Sequence, residues 1–280
     1  MEILNLISKR IIFIGLAFAI LFFCLSCVNK EKKSSSRVAS LASEPVYTMP
    51  GLRPIPYKLG KTYKFIFTTD KGKIGEGLFK MEKSSDGNLQ IFSSVDVNDI
   101  EALIQTKGEG TLILNEKFEP VSYERSMLIE YKDEPEKSGT EIIKAAFQNG
   151  KANLEIVGPS KDQKQTMTVD YIPGYFAFDN NFLGQMAFLC SQPKLKSGRA
   201  ESLNVLSITL RSMLLFTMTP RVKVALEYKG RKIIAYEVDM KADGTTFGRY
   251  FITPDGVLVK AEEMGGLMLI ELENPDFPVE

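Results

Sequence analysis

"KTYKFIFTT", residues 61–69, sets Tyr63, Phe65 and Phe67 in phase at a spacing of two, against Lys64, Ile66 and Thr68. A β-strand sends successive side chains to opposite faces, so this stretch predicts a strand with one face in a core. The same period continues outward. In "GEGLFKMEK" (75–83), Leu78 and Lys80 share one face and Phe79 and Met81 the other. "NLQIFSSVDV" (88–97), "GTLILN" (110–115), "VSYERSMLIEY" (121–131), "TEIIKAAFQN" (140–149), "KANLEIVG" (151–158) and "QTMTVDY" (165–171) extend the series. Asp70-Lys71-Gly72, Asp86-Gly87-Asn88, Asn149-Gly150 and Lys229-Gly230 punctuate it. Asn-Gly between alternating runs is a hairpin signal, because both residues tolerate positive φ. Many short strands with turns between them predict an all-β, mainly antiparallel fold, a large meander forming a half-barrel or sandwich.

One stretch departs from that rhythm. In "DNNFLGQMAFLCSQP" (179–193), Leu183, Met186, Ala187 and Cys190 fall on one helical face, so a short helix is expected around 180–191. Asp179 or Asn180 is placed to cap it and Pro193 to end it. Strands then resume with "SLNVLSITL" (202–210), "RVKVALEY" (221–228), "KIIAYEVDM" (232–240), "TTFGRYFIT" (245–253), "GVLVKAEEM" (256–264) and "LMLIELE" (267–273).

The N-terminal region is of another kind. Lys9 and Arg10 precede the apolar run "IIFIGLAFAILFF" (11–23), short for a spanning helix and suited to an export signal. The segment resembles a bacterial lipoprotein signal, with Ser26 before the cut and Cys27 as the residue that becomes diacylated. An uncleaved anchor helix, with Cys24 and Cys27 as ordinary apolar residues, is the alternative. Two acyl chains at about 0.8 kcal/mol per CH₂ give stable anchoring. The expected organisation is a signal peptide over 1–26, a lipidated N-terminus and flexible tether over 27–56, and a single antiparallel β domain over 57–280. Charged, Ser/Ala-rich and then Pro-rich composition makes the tether flexible, with a span of about 30 Å. Val28 after the cysteine points, by analogy with Gram-negative lipoproteins, to the outer membrane facing the periplasm.

Composition narrows the chemistry. Lys plus Arg and Asp plus Glu are equal at 35 each, so no single-sign field suggests nucleic acid as a partner. The chain has no His, which excludes an internal Ser-His-Asp triad or Cys-His dyad. No cofactor is expected, nor a metal site, because no stretch has the spacing of a calcium loop, a phosphate loop or a cysteine cluster. Cys190 lies on the apolar helix face with no His to activate it and reads as a small buried hydrophobe. Asp96, Asp99 and Glu101 read as solvated turn carboxylates rather than an acid–base pair, and "FDNNF" (178–182) as a turn and helix cap rather than a cation site.

Adaptable apolar residues are the remaining candidates. "SMLLFTMTP" (212–220) does not alternate cleanly and is either a strand or loop buried on both sides or the lining of an apolar site. On the second reading Met213, Leu215, Phe216 and Met218 bind ligand, joined by Met167, Phe176, Phe178 and Phe182.

"LGKTYKF", "GKIGEGLFKME", "LILNEKFEPVSYE", "FDNNFLGQMAFLCSQPKLKSG" and "RYFITPDGVLVKAEE" together resemble an exported bacterial β-domain family, domain of unknown function 3108, over most of residues 58–272. The plan is also similar to lipoprotein carriers of the LolA type, open β half-barrels that hold acyl chains. Neither resemblance implies catalytic residues. The resulting expectation is a non-enzymatic, membrane-anchored envelope lipoprotein that binds an apolar or amphipathic ligand, such as a lipid, or an envelope protein. A structural or assembly scaffold without a ligand is one alternative. A carboxylate-based enzyme acting on envelope polysaccharide is another, since such chemistry needs no His.

Overall fold

The computed structural model describes residues 53–99, 103–159, 164–172 and 174–273. The export signal, Cys24, Cys27, tether residues 28–52 and Glu101 lie outside the described residues. The strands are β1 (Thr62–Thr69), β2 (Gly72–Lys83), β3 (Leu89–Asp99), β4 (Ile104–Leu114), β5 (Pro120–Tyr131), β6 (Gly139–Gln148), β7 (Lys151–Val157) and β8 (Lys164–Asp170). After them come β9 (Phe176–Phe178), helix α1 (Leu183–Ser191), β10 (Glu201–Ser207), β11 (Ser212–Tyr228), β12 (Arg231–Ala242), β13 (Thr245–Ile252), β14 (Leu258–Glu263) and β15 (Met268–Leu272).

All fifteen strands share one sheet, in the order β8-β7-β6-β5-β4-β3-β2-β1-β15-β14-β13-β12-β11-β10-β9. The first and last strands pair in its middle, Phe65 opposite Leu272, and two meanders run outward from that seam. Among the described strands only β9 with β10 is parallel. The sheet is open, with β8 and β9 as its edges, and is the expected all-β, antiparallel half-barrel with one helix.

The hairpin turns fall where the dipeptides place them. Asn149 (φ 53°) and Gly150 (φ 72°) join β6 to β7, both in the left-handed region that a tight hairpin turn requires. Period-two burial follows along β1, where Tyr63, Phe65 and Phe67 are buried. β11 corrects the reading of "SMLLFTMTP": it alternates, with Leu214, Phe216 and Met218 buried and Met213 and Leu215 half-buried.

α1 lies in the concavity against β2, β3, β9 and β14. Gly184 permits that approach, since a Cβ there would stand 2.4 Å from the Phe79 Cβ and 2.6 Å from the Ser93 Oγ. Residues 184–191 are buried on every side, not only along the face that the apolar spacing marked. The first described residues also bind the body. Arg53 donates to the carbonyls of Pro193 and Pro254, both at 3.0 Å. Tyr57 meets Tyr63 and Phe79 edge-on, and its hydroxyl accepts from the Leu258 N–H at 2.9 Å.

Candidate functional site

Two features stand out: a trough on the solvent face of β1–β5 and a polar cluster buried behind it. The trough has a volume of about 740 Å³, within the size of small-molecule sites. Its walls follow from strand register. Along one row Thr62 faces Lys80, Lys80 faces Phe92, Phe92 faces Thr111 and Thr111 faces Glu124. A parallel row runs Leu78, Ser94, Glu109, Ser126, and a third runs Gln90, Ile113, Ser122. All of these side chains line the trough.

The three rows put the apolar side chains on a diagonal. Leu78 on β2, Phe92 on β3 and Ile113 on β4 each stand one strand across and one row along from the last. Each diagonal step is about 7–8 Å, which makes a stripe of about 15 Å. Leu78 and Phe92 are 36% and 37% exposed, high for large apolar side chains, and the sheet gives them no cover. Ser94, Glu109, Thr111, Ser122, Glu124 and Ser126 lie on one side of the stripe, Thr62, Lys80 and Gln90 on the other.

Beneath this floor the alternate residues face α1. Asp179, fully buried before the helix, gathers four side chains. Its Oδ2 accepts from the Tyr123 hydroxyl at 2.5 Å and from Arg125 Nη1 at 2.8 Å. Its Oδ1 accepts from Thr209 Oγ1 at 2.8 Å and from Asn181 Nδ2 at 2.6 Å, and also from the Asn181 N–H. Arg125, 3% exposed, pairs with Glu141 through its other terminal nitrogen. Burial opposes charge on the Asp179 carboxyl, but Arg125 and the hydrogen bonds from Tyr123, Asn181 and Thr209 hold it below the usual carboxylate range.

Asp179 therefore does not cap α1; Phe182 takes the cap position, with no side-chain hydrogen bond. Asp179 instead braces the turn before the helix and ties it to β5. The sequence reading missed this cluster, although Arg125 in phase with Tyr123 and Met127 in "VSYERSMLIEY" is a visible sign of a buried cation.

The eight residues singled out as ligand-binding are placed as follows. Phe176, Phe178, Phe182, Phe216 and Met218 are all buried in the core. Phe178 meets Phe216 edge-on at 5.0 Å, and Phe176 meets Phe188 of α1 at 5.9 Å. Met213 and Leu215 are half-buried on the other face of β11, and Met167 is half-buried on edge strand β8. None of the eight lines the trough. Cys190 is fully buried, and burial pushes its thiol up. Asp96 pairs with Lys107 at 3.2 Å, and Asp99 is buried. Among the described residues no group of three His, Cys, Asp or Glu is placed to hold a metal ion.

An open antiparallel β half-barrel with a filled interior and a solvent-side trough is the class of protein that this geometry defines. A β-barrel-like protein of the domain of unknown function DUF1849 from Brucella abortus shares the fold, with a TM-score of 0.50 at 13% identity, over 79% of this chain and 96% of that one. A DUF1089-family protein from Pseudomonas aeruginosa aligns with a TM-score of 0.39 at 11% identity, over 68% and 90%. A protein of Parabacteroides distasonis described as a candidate lipoprotein aligns with a TM-score of 0.26 at 12% identity, over 78% and 96%. No family model matches the chain, domain of unknown function 3108 included, and no curated protein matches it.

Proposed function

We propose that this chain is a lipid-anchored protein of the bacterial cell envelope whose β half-barrel is a non-catalytic binding domain, and that its ligand is an amphiphile lying along the trough. The observation that carries the reading is the Leu78–Phe92–Ile113 diagonal, an uncovered apolar stripe between polar walls. An alkyl chain laid on it removes apolar surface from water at about 25 cal/mol per Å². The interior of the half-barrel, where a LolA-type carrier would hold acyl chains, is occupied by the protein's own side chains. That occupancy favours the solvent face as the ligand's place. Anchoring rests on the likeness of residues 1–27 to a lipoprotein signal.

The test uses the full chain purified in nanodiscs. The chain has no Trp, so Phe92→Trp introduces a single reporter. Alkyl amphiphiles carrying a quencher on the chain are expected to quench it saturably, and Leu78→Ser with Ile113→Ser to weaken binding at least tenfold. Quenching that rises linearly with probe and ignores the double substitution rejects the reading.

A second reading has its own observation. Glu109 and Glu124 are diagonal neighbours in the trough, about 7–8 Å apart at the backbone, and a carboxylate pair can hydrolyse glycosidic bonds. Lys144 stands 2.8 Å from Glu124 and engages that carboxylate in an ion pair, which a sugar substrate would have to displace. Release of reducing ends from envelope polysaccharide by the chain, lost in Glu124→Gln, would replace binding with hydrolysis.

A further inference from the structure

The two walls of the trough differ in charge, and the difference selects the ligand's head group. Four lysines on or beside the trough are already matched. Lys80 pairs with Glu82, Lys64 with Glu76 and Glu273, Lys107 with Asp96 and Lys144 with Glu124. Glu109 makes no ion pair among the described residues. Its cross-strand neighbours are Ser94 and Ser126, two hydroxyls that can donate to a carboxylate or accept from an ammonium. Thr111 and Ser122 continue the same wall. The apolar stripe is thus bordered on its β4–β5 side by one uncompensated negative charge among hydroxyls.

We infer that the trough is selective for amphiphiles with a cationic, hydrogen-bonding head group, an alkylammonium or an amine-bearing lipid, whose nitrogen pairs with Glu109 while its chain lies on Leu78, Phe92 and Ile113. The inference rests on the binding reading above and adds the head-group class. Three acceptors around one site suit the three N–H donors of a primary ammonium. An anionic head group would meet Glu109 unpaired, and like charges at that range repel. Because Glu109 is exposed, the preference is sensitive to salt.

The experiment compares three probes with one chain and different heads: octylammonium, octanol and octanoate, read by the Phe92→Trp reporter in the full chain. Octylammonium is expected to bind at least tenfold more tightly than octanoate, with octanol between them. The advantage should shrink as salt is raised. Glu109→Gln should bring the three together, and Glu109→Lys should reverse their order. Equal binding of all three, unaffected by Glu109→Gln, overturns the cationic preference and leaves the trough as a binding site. Failure of every probe to change the reporter overturns the binding reading itself. The reporter's emission in the absence of probe, unchanged in the Glu109 variants, shows that the sheet around it is intact.

Discussion

Asp179 and Arg125 show how much one buried pair can hold. Their charges are both out of water and are held by each other and by a few neighbours, with the Arg125 Nε left without a partner. Replacing such a pair with apolar residues can cost little, but removing one partner strands the other. Asp179→Asn keeps the shape and removes the charge, so we expect a loss of about 3–5 kcal/mol in urea unfolding at pH 7. The sign with pH follows from the depressed carboxyl. Its stabilisation is in place above the ordinary value of 3.8 and is lost as pH falls through its lower value in the folded protein. The variant should therefore show a flatter acid limb than the parent. Glu263 is the opposite case. Burial raises its carboxyl above the ordinary 4.5, against a hydrogen bond from Tyr250 that lowers it. A raised carboxyl stabilises below 4.5 and ceases to do so as pH rises through its folded value. Glu263→Gln, which still accepts from the Tyr250 hydroxyl, should raise the melting temperature at pH 8 and leave it nearly unchanged at pH 4.

α1 is nine residues long, too short to be stable alone in water, so its packing makes it. Gly184 is the condition for that packing. Gly-to-Ala in a helix ordinarily gains about 0.5–1 kcal/mol. Here the new methyl would meet the Phe79 Cβ, which no rotamer change can move aside. Overpacking of that kind costs about 1–3 kcal/mol and outweighs the propensity gain. Gly184→Ala should thus destabilise, read as a lower urea midpoint at an unchanged slope. The strands owe less to distant partners. Short turns join β1 to β2, β2 to β3 and β6 to β7, and alternation along these strands already sorts side chains between core and water. For that reason strand positions could be read from period and turn dipeptides. The full burial of α1 could not, since a helix reads as amphipathic until the walls around it are known.

Pairing β1 with β15 puts the first and last of the described strands at the centre of the sheet and leaves β8 and β9 at its edges. The edges are unequal. β9 is three residues long and fully buried, while β8 is seven residues long and largely exposed. Hydrogen exchange should show it: amides of β8 are expected to exchange fastest among the strands of the first meander, and those of β2 and β3, under α1, slowest. Comparable protection across β1–β8 would contradict this ordering. The exposed β8 edge is also a place where another chain could add a strand, and its terminal Lys164 and Asp170 are the kind of charge that discourages it.

Alternation and turn chemistry are local, so most of the described strands, the four turns named above and the helix could be read without reference to anything distant; β9, three residues long, and the first half of β11 were not. Composition, likewise local, removed histidine chemistry. Arg125 lay in view too, its phase with Tyr123 and Met127 being a property of one strand. Which residues could meet a ligand was not of this kind. Leu78, Phe92 and Ile113 belong to three strands, and each sits singly among polar residues on its own face of the strand. They become a stripe only when register sets one strand beside the next. Phe176, Phe178, Phe182, Phe216 and Met218 gave the stronger apolar signal and went to the core, because the concavity closes on α1 and hydrophobic burial is satisfied there first.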